Sequence, residues 1–316
     1  MTDKKPSQPF TWIWFNPTRM FQFLAANLAP VRWLTLLIWP FAIFAGIATI
    51  SNWYEMLAHI ERLLLKLSFW ESILAGLLTT NLASKLAVGI VMSYYRAYPQ
   101  GFGITLLLGL IPRFYVDRSP IKKLELAQQK TCYSSTLLVK VLLFAVGMLV
   151  WAITRRTGSG ASEIFLALGI SGFSSFVFTA NPLLPLDGCK WLCAWLKKPT
   201  LYRDSLHMTY MIATRRPTPS GLDPRAKVGM VLFALAAIAF TAVLIYSVLS
   251  VVSSGLERQF QGAGVLIFCF LLAVTIFFLI SRVTSRKSSK AKANRSAGAG
   301  KNAGRAKQRN LAVTRD

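Results

Sequence analysis

The chain has 316 residues, 54% of them hydrophobic and only 15% charged, with 36 Lys and Arg against 12 Asp and Glu for a formal net charge of +24. Two His and four Cys complete a meagre stock for metal or thiol chemistry. This composition excludes a disulfide-framed secreted domain, a histidine-rich metal site and a disordered polycation, and assigns most of the chain to lipid.

A helix needs about 20 mostly apolar residues to cross the hydrocarbon core. Six segments meet that demand, over roughly 33–52, 71–94, 133–154, 161–180, 228–252 and 263–281. The expected fold is all-α and polytopic, with a membrane domain over 33–281. Ahead of it, residues 1–32 interleave Trp12, Trp14, Phe15, Phe21 and Phe23 with Lys4, Lys5, Arg19 and Arg32, the pattern of an interfacial segment rather than a cleavable signal peptide.

The second segment carries Asn81, Ser84 and Lys85, and the third carries Lys140. Intramembrane lysines are costly and mark functional sites unless they snorkel to the interface. Between these two segments, residues 101–117 are apolar but too short to cross and are broken by Gly and Pro. Such a piece is tolerable at membrane depth only if its backbone groups are covered, as in a re-entrant loop or a short hairpin against the helices.

Arg155 and Arg156 sit in a loop expected on the outer side. Gly169 and Gly172 in the fourth segment suit close helix packing. That segment ends in Asn181-Pro182-Leu183-Leu184-Pro185-Leu186-Asp187-Gly188, where prolines stop the helix and a carboxylate enters apolar surroundings that demand a partner. Cys189 and Cys193 follow, four apart, a spacing that suits buried structural thiols rather than a redox or zinc pair. The loops 95–131 and 182–227 collect Lys and Arg, which predicts that both are cytoplasmic and, with six crossings, that both termini are too.

The tail, 282–316, holds eleven basic residues and one acid among Ala, Gly and Ser. It cannot form a core and is expected to be disordered and to lie on anionic lipid headgroups. It lacks the aromatic residues with which a nucleic-acid binder stacks bases, so nucleic acid is not an expected partner.

Three motifs stand in order: Gly101-Phe102-Gly103-Ile104 with Ile111-Pro112-Arg113-Phe114-Tyr115-Val116-Asp117; Asn181 to Gly188; and Leu196 to Ser205, with Pro199, Leu201 and Ser205 in register. Together they resemble the site-2-protease class of intramembrane zinc metalloproteases over about residues 70–210. The likeness is greatest to the bacterial branch of peptide zinc metalloproteases often associated with secretion membrane-fusion proteins. In that family a helix carries HExxH, a re-entrant segment follows, and the aspartate of a later NPLxxxDG is the third zinc ligand. The family's spacing puts HExxH on Ser84-Lys85-Leu86-Ala87-Val88, so neither imidazole nor the glutamate is present.

The resemblance implies a degenerate member with no catalytic residues and no cofactor, in which Asp187 is a vestigial metal ligand. It also implies that Lys85 faces Asp187 as a structural ion pair, with Ser84 or Asn81 assisting and Lys140 as the competing cation. The expected protein is a pseudoprotease of a bacterial inner membrane that binds a membrane segment, a peptide client or a secretion membrane-fusion protein. One alternative is a transporter or exporter subunit using the Lys/Asp charges. The other, an active zinc protease, would need histidines beyond His59 and His207, which occupy different loops.

Overall fold

Strand β1 (Thr11–Phe15) and helix α1 (Thr18–Leu28) open the described part of the chain. The computed structural model describes residues 11–260 apart from 29, 31, 65, 108–110, 158–159 and 218–222, so the sixth apolar segment and the basic tail lie outside it. Residues 11–105 and 112–247 form one compact unit, which contains the site described below; 1–10, 106–111 and 248–316 group separately.

The unit is mostly helical but not all-α. β1 pairs antiparallel with β2 (Phe102–Leu107), and β3 (Ile111–Val116) completes a sheet of order β1-β2-β3. The apolar piece too short to cross is thus a hairpin. Its backbone groups are satisfied locally, with the Asp117 amide donating to the Gly101 carbonyl at its open end, 3.0 Å. Nor is the N-terminal segment only an interfacial lead-in. Phe21, fully buried, packs with Phe102, Val116, Leu82 and Leu86, so that α1 and the hairpin share one apolar cluster on helix α4 (Leu67–Tyr94). Gly89 makes the approach possible, because a Cβ there would overlap the Phe21 ring. Gly89→Ala is therefore expected to cost about 1–3 kcal/mol and to loosen α1, read as faster proteolysis near residue 28 with the rest of the chain intact.

The first predicted span, 33–52, ends where expected, but its α-helical part is only 14 residues, since Arg32–Leu37 form a 3-10 turn. Helix α2 (Ile38–Ser51) ends at Asn52, whose side chain donates to the Ala48 carbonyl at 2.7 Å, and helix α3 (Trp53–Leu63) leaves at 78°. The cause is compositional. Apolar residues all round α2 give way in α3 to an amphipathic pattern with Glu55, Glu61 and Arg62 on one side and buried Met56 and Leu63 on the other. Helices α4, α5 (Leu126–Thr154), α6 (Gly160–Ala180) and the Pro224–Ser247 part of α9 (Pro224–Phe260) are each long and apolar enough to cross a membrane. Two short helices, α7 (Asp187–Trp195) and α8 (Leu201–Ala213), stand between α6 and α9.

At the far end of α5, the two residues that ran against the charge rule find different settings. Arg155 pairs with Glu55 at 3.4 Å and lies over the Trp151 ring, whereas Arg156 is exposed. Trp151, fully buried, donates its indole N–H to His59 Nδ1 at 3.2 Å, so this histidine lies on α3 rather than in a loop and is anchored there. Lys66 ties the start of α4 to Glu163 on α6 at 2.9 Å. Gly169 and Gly172 lie where α5 and α6 cross, the first against Met148 and the second against the backbone of Phe144 and Lys140.

Candidate functional site

Helix α4 presents Ser84, Lys85 and Val88 to the interior, all buried. Ser84 and Val88 share a face one turn apart. The Ser84 hydroxyl donates to the Thr80 carbonyl of its own helix at 2.7 Å, and Asn81 accepts the Phe114 amide of β3 at 2.9 Å. Asn81 therefore anchors the hairpin to α4 instead of assisting an ion pair.

From α6 the chain enters the turn at Asn181, whose Oδ1 accepts the Leu183 amide at 2.9 Å, and Pro182 prevents the helix from continuing. The reversal is tight enough that a Cβ on Gly188 would overlap the Ala180 carbonyl. Glycine after the aspartate is thus a packing requirement. Asp187 opens α7 and is only 7% exposed.

Its partner is Arg118, from the 3-10 turn that follows β3. The guanidinium Nη1 donates to Asp187 Oδ1 at 2.6 Å, and Lys190, one turn along α7, lies 3.8 Å from the same oxygen. The Thr136 hydroxyl of α5 donates to Oδ2 at 2.9 Å; the Tyr133 carbonyl is also within its reach, but the ionised carboxylate is the stronger acceptor. Burial pushes the Asp187 carboxyl up, but Arg118 first, then Lys190 and Lys85, outweigh it and hold the group below the usual carboxylate range.

The expected Lys85–Asp187 contact is therefore not formed directly. Lys85 lies in the same electrostatic field, which Arg113 and Lys140 share, but the hydrogen-bonded position is filled by Arg118. A planar fork carried on a turn beside Asp187 reaches the carboxylate without leaving its preferred geometry. Lys140, the other candidate cation, donates instead to the Thr179 hydroxyl and, at 3.4 Å, to the Ser175 carbonyl, both on α6. Arg118 escaped notice because the sequence shows it only as one of many loop cations. Its position directly after the motif ending at Asp117 was the available signal.

A zinc ion does not fit this donor set. Ser84, Lys85 and Val88 offer neither imidazole nor carboxylate, and both oxygens of Asp187 are engaged. Among the described residues there is no group of three or more His, Cys, Asp or Glu able to hold a metal. Cys189 and Cys193 are buried free thiols on α7, and His207 is exposed on α8.

Fold and site together define a helical protein of membrane type, with four helices able to cross and a fifth if the bent α2–α3 pair counts as one. No family model, no curated protein and no solved structure matches the chain.

Proposed function

We propose that this protein is a non-hydrolytic relative of the site-2-protease class, a membrane scaffold that binds a membrane segment, a peptide or a secretion partner without cutting it. The observation that carries the reading is the state of Asp187. The residue matching the family's third zinc ligand is tied up by Arg118 and Thr136, while the positions matching the other ligands and the base are Ser84, Lys85 and Val88, buried on α4. The hairpin anchored to α4 by Asn81, and the tight Asn181–Gly188 turn after α6, support the alignment of the three motifs. A charge relay for transport has less support, since Lys140 is held by α6 hydroxyl and carbonyl groups.

In this reading the protein resides in a bacterial inner membrane, with both termini and the basic loops on the cytoplasmic side and the tail of 282–316 on anionic headgroups. Purified protein is expected to contain far less than one zinc per chain by elemental analysis; stoichiometric, tightly held zinc would overturn the proposal. The combined Ser84→His, Lys85→Glu and Val88→His variant, with Arg118→Gln to free Asp187, is expected to gain zinc.

A further inference from the structure

Arg118 uses only one part of its guanidinium on Asp187. Its Nε and Nη2, which together form the side-on edge of the fork, are buried and have no hydrogen-bond partner among the described residues. An unmade hydrogen bond from a buried charged donor is costly, and two on one edge match the spacing of two oxygens of a single anion.

Lys85 adds to this. It is only 7% exposed and, among the described residues, makes no hydrogen bond or ion pair, while lying in the field of Arg118, Arg113 and Asp187. Lys190 completes the group at the rim, with its side chain 48% exposed. Arg118 and Lys190 thus contact one carboxylate, Asp187, whose oxygens are already engaged, and Lys85 and Arg113 lie near enough to add to the positive charge. Burial of that much like charge is unfavourable unless a further anion enters or protons leave.

We propose that Arg118, Lys85, Arg113 and Lys190 form a binding site for a phosphate group, with the Nε/Nη2 edge of Arg118 gripping two of its oxygens. A phosphate suits the site better than a carboxylate, because it carries enough oxygens to meet the fork and the lysines together and enough charge to offset the excess. Both a phospholipid headgroup and free phosphate supply that chemistry. Buried guanidinium donors beside an exposed lysine suit either source. The site stands on charge and hydrogen bonding alone, so it does not depend on the protease resemblance, and zinc content does not bear on it.

The test uses the full-length chain purified in a neutral detergent free of phosphate, with melting followed by tryptophan fluorescence. Inorganic phosphate is expected to raise the melting temperature saturably above chloride at equal ionic strength. Native mass spectrometry after addition of phosphatidylglycerol or phosphatidylcholine distinguishes the sources: preferential retention of phosphatidylglycerol identifies a lipid headgroup, and a phosphate response without it identifies free phosphate. Lys85→Met removes a buried charge at similar volume, so it is expected to melt no lower than the parent without phosphate while weakening the response at least about tenfold. Arg118→Lys keeps a cation beside Asp187 but loses the fork, and is expected to weaken the response similarly. The proposal is overturned if phosphate acts no differently from chloride and phosphatidylglycerol is not preferred, if acetate acts as well as phosphate, or if Lys85→Met responds undiminished.

Discussion

Arg118→Ala is expected to destabilise the protein by about 3–5 kcal/mol, the cost of leaving one partner of a buried pair alone. Asp187 would keep the Thr136 hydroxyl and a lysine 3.8 Å away at the rim, which is too little for a carboxylate 7% exposed. Asp187→Ala should cost a similar amount, because it removes the carboxylate from Arg118, whose Nε and Nη2 already lack partners among the described residues. Arg118→Ala combined with Asp187→Asn should recover part of the loss, since neither charge is then stranded. Reversible denaturation in mixed micelles measures all three. A cost below about 1 kcal/mol for Arg118→Ala would class the pair with exposed surface bridges and remove it as the organiser of the site.

The pH dependence follows from the same contact. The folded Asp187 is held below its unfolded value, so its contribution is fully present above the unfolded carboxylate pKa of about 4 and disappears only as pH falls through the lower folded value. The wild type and Asp187→Asn should therefore differ in stability by a constant amount at neutral pH and converge in strong acid.

Gly147→Val is expected to be the most disruptive substitution away from the charges. Where α5 crosses α6, a Cβ on Gly147 would overlap the backbone of Gly169 and approach the Phe165 carbonyl. Backbone cannot rotate aside as a side chain can, so the helices must separate. Overpacking of this kind costs about 1–3 kcal/mol and occasionally more. Here the upper end is expected, since separation also pulls Lys140 from the Thr179 hydroxyl across the same pair of helices. Lower yield of folded protein and exposure of the buried Trp151, read as a red-shifted emission, would report it. Gly169→Ala is the informative contrast: the added Cβ meets mainly the flexible Met148 side chain, which can rotate, and the cost should be much smaller.

The apolar lengths of α4, α5, α6 and the first part of α9 were legible in the sequence because hydropathy needs no knowledge of neighbours. The hairpin over Phe102–Val116 was half legible: too short to cross, it had to cover its backbone, but period alone did not show that β1 would join it. The end of the first apolar segment at residue 52 was legible, but the 78° turn into α3 was not, because it depends on how α3 buries Met56 and Leu63.

Of the site, the sequence by itself determined the inventory: a chain with two His and an Asn181–Gly188 motif, with Ser84, Lys85 and Val88 at the positions that matter, and with Asp187 in need of a cation. Only the tertiary structure decided which cation. Lys85, Arg118, Lys140 and Lys190 are equivalent as charges on a string of letters. Their distances to one carboxylate are set by how α4, α5, α7 and the turn after β3 pack together. Pairing energy falls steeply with separation and desolvation, so the choice among four cations rests with packing.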